Sequence, residues 1–165
     1  MGNLIQIYEP GQTPMPHADT VAIGIDLGTT HSVVAIASDG EAEAIHDAHG
    51  RALIPSMVQY AGKSVLVGHE ARRAYAEGEV GVIASIKRLM GKALEDVADV
   101  AGQRAYTIDA SPDGALRVQA GNQSVTPMEI SAEILRHLKE MASEALGREG
   151  NRAVITVPAY FDDAA

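Results

Sequence analysis

Asp26, Gly28, Thr29 and Thr30 fall within one short stretch, Val21–Ala37, which reads VAIGIDLGTTHSVVAIA. An acid, a glycine and two hydroxyls so close together form a set that can work on phosphates. Backbone N–H groups of such a turn can be offered to an anion, while the carboxylate holds a metal ion through its waters. The combination suggests a nucleotide-phosphate site.

The flanking residues are those needed to hold such a tip in place. Val21, Ile23, Ile25 and Leu27 recur at period two and make one branched, apolar strand face. Ala22, Gly24 and Asp26 occupy the other face, bare until the carboxylate. After Gly28-Thr29-Thr30, Val33, Val34, Ala35 and Ile36 provide a second strand. The four chemical residues therefore sit at the tip of a hairpin.

Composition narrows what the tip could serve. The 165 residues can bury a core as one domain or as a lobe of a larger one. Hydrophobic residues are 46% of the chain and mean hydropathy is near zero, as in globular proteins. Aromatic residues are only 4% and net charge is −9, which argue against base stacking and against binding a phosphate backbone, so no nucleic-acid partner is expected. Zero cysteines exclude disulfides, thiolate metal sites and cysteine nucleophiles. No apolar run approaches the roughly 20 residues that span a bilayer, and residues 1–20 lack the basic and apolar regions of a signal peptide. No membrane partner is expected, and a cytoplasmic location is the default.

Along the chain, residues 3–20 read as an extended arm broken by Pro10, Pro14 and Pro16. Asp39-Gly40 predicts a tight turn into a third strand over Glu41–Ile45. His46-Asp47-Ala48-His49-Gly50 predicts a loop. Its two histidines beside an acid are metal-ligand types, but a loop fixes no geometry and no further ligand is evident. Met57–Tyr60 and Ser64–Val67 predict a hairpin. Gly62-Lys63-Ser64 looks like the end of a P-loop, but the motif's first glycine would fall on Met57, so that reading fails. A short helix is predicted over Ala71–Ala76 and a second over Val80–Met90, stopped by Gly91. On pattern alone, Lys87-Arg88 is the solvated side of that second helix.

Arg104–Asp109 and Ala115–Ala120 predict strands around the turn Ser111-Pro112-Asp113-Gly114. Gly121-Asn122 predicts another turn, before Ser124-Val125. Thr126-Pro127-Met128-Glu129 is a capping box with proline at the first helical position. Ile130, Ile134, Leu138, Met141 and Ala145 make the apolar stripe of the helix it opens, and Gly147 closes it. His137, beside the stripe, is read as half-buried rather than catalytic. Ala153–Val157 is continuously apolar, the pattern of a strand covered on both faces. A helix followed by such a strand predicts a crossover back to the first sheet. Pro158 ends the strand, and Asp162-Asp163-Ala164-Ala165 looks like a helix start, which suggests a fragment.

Three of these stretches resemble, in order and spacing, the ATPase domain of the DnaK-type heat-shock chaperones: IGIDLGTT (Ile23–Thr30), IKRLMG (Ile86–Gly91) and AVITVPAYF (Ala153–Phe161). The arm IQIYEPG (Ile5–Gly11) and YFDDA (Tyr160–Ala164) are similar to the branch of that family serving iron–sulfur cluster assembly. The resemblance implies an α/β chain with the actin-like, ribonuclease-H-like ATPase fold, of which this is the first lobe only, a mixed sheet with flanking helices plus a smaller α+β subdomain. Residues 21–55 and 126–165 would form the core subdomain, 56–125 the inserted smaller one, and 1–20 the arm.

The same resemblance implies ATP or ADP and Mg2+ as ligands. Asp26 would sit beside the magnesium through water and share the catalytic role with Lys87. Gly28, Thr29, Thr30 and His31 would face the phosphates. Lys87 would contact the γ-phosphate and position the attacking water, a role that pattern alone does not suggest. Pro158 would relay nucleotide state to a peptide-binding domain, although as a strand terminator it needs no relay. His31 departs from the family, which usually carries Asn or Tyr there; the contact implied is mostly backbone, so the implied effect is small. A J-type co-chaperone and an iron–sulfur scaffold protein are the implied partners of the full-length protein, the fragment itself being inactive. The competing expectations are a general protein-folding chaperone of the same family and a small-molecule kinase of the same fold, which the hairpin tip alone would allow.

Overall fold

A computed structural model describes residues 22–38, 41–92, 94, 97, 106–111, 114–149 and 152–156. The predicted arm, the Asp39-Gly40 turn, Pro112-Asp113, Val157, Pro158 and the Asp162-Asp163 helix start lie outside them. Eleven strands and two α-helices are described. In chain order they are β1 (Ala22–Asp26), β2 (His31–Ser38), β3 (Glu41–Ala44), β4 (Ile54–Pro55), β5 (Met57–Ala61), β6 (Ser64–Val67), α1 (His69–Ala76) and β7 (Val82–Ala84). After a 3-10 helix (Ile86–Leu89) come β8 (Thr107–Ala110), β9 (Leu116–Ala120), β10 (Gln123–Val125), α2 (Pro127–Leu146) and β11 (Arg152–Thr156).

The period-two pattern folds as expected. β1 and β2 pair antiparallel with Ile25 opposite Val34 and Asp26 opposite Val33. Ile23, Ile25 and Leu27 are buried while Ala22, Gly24 and Asp26 are exposed. The sheet runs β11-β1-β2-β3, and β4 joins the start of β2, His31 opposite Pro55 and Ser32 opposite Ile54. Two three-stranded sheets, β6-β5-β7 and β10-β9-β8, lie between in sequence.

α2 begins and ends where its chemistry dictates. The Thr126 hydroxyl accepts from the Glu129 N–H at 3.1 Å, and the Glu129 carboxylate accepts from the Thr126 N–H at 2.7 Å. Both N–H groups are donors that a helix start otherwise leaves unpaired. Gly147 closes the helix in the left-handed conformation. Ile130, Ile134 and Leu138 are fully buried and bring α2 onto the sheets. The stripe turns at its end: Ala145 is exposed and Ala142 is buried in its place, because the 3.6-residue turn drifts off a strict four-residue spacing. His137 is half-buried, as expected.

Two expectations fail. Val80–Met90 is not a helix: Val82–Ala84 pairs antiparallel with β5, Met57 opposite Ala84. Gly81 enters that strand at φ +78°, where an added Cβ would lie 2.7 Å from the Tyr60 carbonyl oxygen, so only glycine lets it approach. Ser85, at φ 58° and ψ 33°, then breaks the direction, and only a 3-10 turn follows. The open edge of β5, distant in sequence, offers β-branched Val82 and Ile83 a ladder that helix propensity does not match.

The second failure concerns β11. The crossover is present and parallel, with Ile25 opposite Ile155 and Asp26 opposite Thr156. The strand is not covered on both faces: all five residues are exposed, Val154 at 70%. β11 is the outer strand of the described sheet, and among the described residues no element covers its faces.

Candidate functional site

Four elements meet at the hairpin tip. β1 delivers Asp26, whose carboxylate accepts a 2.6 Å hydrogen bond from the Thr156 hydroxyl, the residue opposite it on β11. The carboxylate stays exposed. The chain then turns through Leu27–Thr30 into β2, with Leu27 buried as the anchor. Gly28 is a steric necessity: an added Cβ would stand 2.0 Å from the His31 carbonyl oxygen. The glycine is thus required by the turn itself, before any ligand is considered.

Ser56, just after β4, braces this turn. Its hydroxyl donates to the Gly28 carbonyl at 2.8 Å and its N–H donates to the Thr30 carbonyl at 2.9 Å. The Ser32 hydroxyl lies 2.9 Å from that of Ser56, and both serines are buried. The N–H groups of Thr29 and Thr30 bond to no protein acceptor among the described residues. His31 is exposed at the start of β2.

Lys87 comes from another element. In the 3-10 helix, three residues per turn put Ile86 and Leu89 on one face, and both are buried. Lys87 is thereby set half-buried and Arg88 exposed. The following residue packs the segment against α2, where Met90 Sδ lies 3.2 Å from the Ser131 hydroxyl, itself donating to the Pro127 carbonyl at 2.8 Å. Upstream, the Tyr106 hydroxyl donates to the Ala84 carbonyl at 2.9 Å. The structure therefore brings Asp26, Gly28, Thr29, Thr30 and His31 together at one tip and carries Lys87 separately. Pro158 lies outside the described residues.

The donor set at the tip suits a phosphate with a hydrated divalent cation. Unpaired backbone N–H groups suit phosphate oxygens, and an exposed carboxylate already oriented by a hydroxyl suits the water shell of magnesium. Sequence reasoning missed Ser56, Ser32 and Thr156. Nothing in the local pattern around the serines marks them, because their partners lie 24 and 28 residues away.

The loop histidines belong to a different place. His46, His49, His69 and His137 line a cleft of about 660 Å3 between the 46–51 loop, α1 and α2, which no tip residue lines. Asp47 is engaged within its own loop. It accepts from Arg51 Nε at 2.7 Å and from the N–H groups of His49 and Arg51, and the Arg51 guanidinium holds its carboxyl well below the usual carboxylate range. The His69 Nε2 donates to the Leu53 carbonyl, and burial pushes that imidazole down. Among the described residues no three ligand side chains are grouped to hold a metal.

With this geometry in view, comparison with known proteins gives consistent matches. A family model described as Hsp70 protein matches residues 22–165. A chaperone protein HscA homolog of Pseudomonas aeruginosa (strain LESB58) is 47% identical over 98% of the chain. Chaperone protein HscA of Proteus mirabilis is 44% identical and an HscA homolog of Verminephrobacter eiseniae 49% identical, each again over 98% of the chain. The chain spans about a quarter, 26%, of the length of these relatives.

Proposed function

The chain belongs to the Hsp70 protein family, and we propose that its hairpin tip is the first phosphate-binding loop of an ATP-hydrolysing chaperone. The observation that carries the reading is the tip itself: a tight Gly28 turn whose Thr29 and Thr30 N–H groups have no protein acceptor among the described residues, beside an exposed, oriented Asp26. The fold is that of the first, actin-like lobe, with residues 21–55 and 126–165 as core subdomain and 56–125 as the smaller insertion. The grouping of the strands into one five-stranded and two three-stranded sheets supports that division.

Bound magnesium would neutralise phosphate charge at the tip. Asp26 holds its position through Thr156 and would accept from the waters of that ion. Thr29 and Thr30 would donate N–H and hydroxyl groups to phosphate oxygens, and His31 its backbone. Lys87 would place a positive charge on the γ-phosphate and orient the attacking water. Pro158 would relay nucleotide state to a peptide-binding domain.

Likeness to HscA chaperones supports the finer assignment to the branch serving iron–sulfur cluster assembly, working with a J-type co-chaperone and a scaffold protein in the cytoplasm. Having no cysteine, this part of the protein would not itself hold a cluster. The test is ATP turnover of a full-length protein containing this chain, with peptide or a sugar added. Stimulation by peptide is expected; stimulation by a sugar instead would replace the chaperone with a small-molecule kinase.

A further inference from the structure

We propose that Ser56, supported by Ser32, is a positioning residue that turns the hairpin tip's N–H groups outward to receive phosphate. The proposal rests on the reading of the tip as a phosphate loop. The direction of the hydrogen bonds follows from counting protons. A serine hydroxyl has one proton, and that of Ser56 goes to the Gly28 carbonyl, which can only accept. In the 2.9 Å contact between the two serines, Ser32 must therefore be the donor and Ser56 the acceptor. The result is a one-way chain from Ser32 to Ser56 to the Gly28 carbonyl, in which each bond polarises the next.

Its effect on the tip follows from peptide geometry. In a trans planar peptide the carbonyl of one residue and the N–H of the next point in opposite directions. The Gly28 carbonyl is held inward by a buried hydroxyl, so the Thr29 N–H faces away from the core. The Thr30 carbonyl is held by the Ser56 N–H, so the His31 N–H is turned away from Ser56 in the same manner. One residue thus fixes two peptide planes of a four-residue turn that contains no regular ladder. Donors oriented before a ligand arrives need no rearrangement when it binds, which is where fixed dipoles are most effective. Ser56 can do this because β4 pairs with the first two residues of β2, and that pairing sets it beneath the tip. It touches no reacting atom.

The experiment compares Ser56→Ala and Ser32→Ala in a full-length protein containing this chain, measuring ATP–magnesium affinity by calorimetry and melting temperature for each. Each variant removes one buried hydroxyl, so a merely structural role would lower both melting temperatures and leave both affinities alone. The expected result is similar melting temperatures, with affinity about tenfold weaker for Ser56→Ala, the size of one lost hydrogen bond. For Ser32→Ala, which leaves the bond to Gly28 in place, about two- to threefold weaker binding is expected. Unchanged affinity in a folded Ser56→Ala overturns the proposal; should that variant not fold, unchanged affinity in Ser32→Ala does so. Absence of nucleotide binding by the unsubstituted protein overturns the phosphate-loop reading, and this proposal with it.

Discussion

Lys87 and Gly28 would serve the candidate site in opposite ways, one by charge and one by leaving empty space. Lys87 sits half-buried on a two-sided turn whose inward face is Ile86 and Leu89. Lys87→Ala in the full-length protein should fold normally and lower single-turnover ATP hydrolysis by about a hundredfold or more, the scale of losing one preorganised charge at a transition state. Retained single-turnover hydrolysis would make Lys87 an ordinary surface lysine. Gly28→Ala acts through sterics. Its Cβ would overlap the His31 carbonyl oxygen at 2.0 Å, and backbone cannot step aside as a side chain can. It should destabilise the chain by about 3 kcal/mol, the upper part of the range for overpacking, read as a lower urea midpoint. An unchanged midpoint would show that the turn can refold around a methyl group. At this scale the acid, glycine and threonines were legible because they are adjacent in sequence. Lys87 enters the candidate site only by resemblance, and Ser56 and Thr156 were not legible at all, because their partners come from distant parts of the chain.

Among the elements, α2 and the segment over residues 80–90 show what local sequence can and cannot decide. Helix α2 carries its own start and stop: the Thr126–Glu129 box and Gly147 are satisfied within a few residues. That is why its ends were readable. Thr126→Ala should cost about 1 kcal/mol, as N-cap losses do. The cap should also be pH-dependent. Hydrogen bonds from the Thr126 backbone and hydroxyl lower the Glu129 pKa. A lowered acid stabilises the fold at pH above its unfolded value of about 4.3 and loses that contribution as pH falls through its folded value. Glu129→Gln should therefore flatten the acid limb of the stability curve, and an identical limb would show the carboxylate to be uncoupled from folding. For residues 80–90 the deciding partner, the edge of β5, is more than twenty residues away, and Gly81 and Ser85 bend the chain to reach it. The apolar run of β11 misled for the same reason. Hydrophobicity signals that a strand is meant to be covered, while the cover depends on what stands beside it.

For the molecule as a whole, the tip supplies an acid and backbone donors, and Lys87 is the only described residue proposed to carry charge to the γ-phosphate. The 165-residue chain on its own is expected to show no measurable ATP turnover and no micromolar affinity for ATP with magnesium. Calorimetry at protein concentrations in the tens of micromolar checks this; a well-defined binding isotherm would mean that one lobe suffices.

The parallel pairing of β1 with β11 has a consequence in time. The hydrogen bond from Thr156 to Asp26 joins residues 130 positions apart. During synthesis at about 5–20 residues per second, β1 waits on the order of ten seconds before its outer neighbour exists. Closing so long a loop is entropically costly before any contact rewards it. The β1–β2 hairpin, joined by four residues, and the Ser56 that braces its turn are all synthesised well before Thr156, so the glycine turn and its threonines can be shaped before Asp26 acquires its partner. The half of the tip proposed to face the anion can therefore take shape before the residue that orients the Asp26 carboxylate has been made.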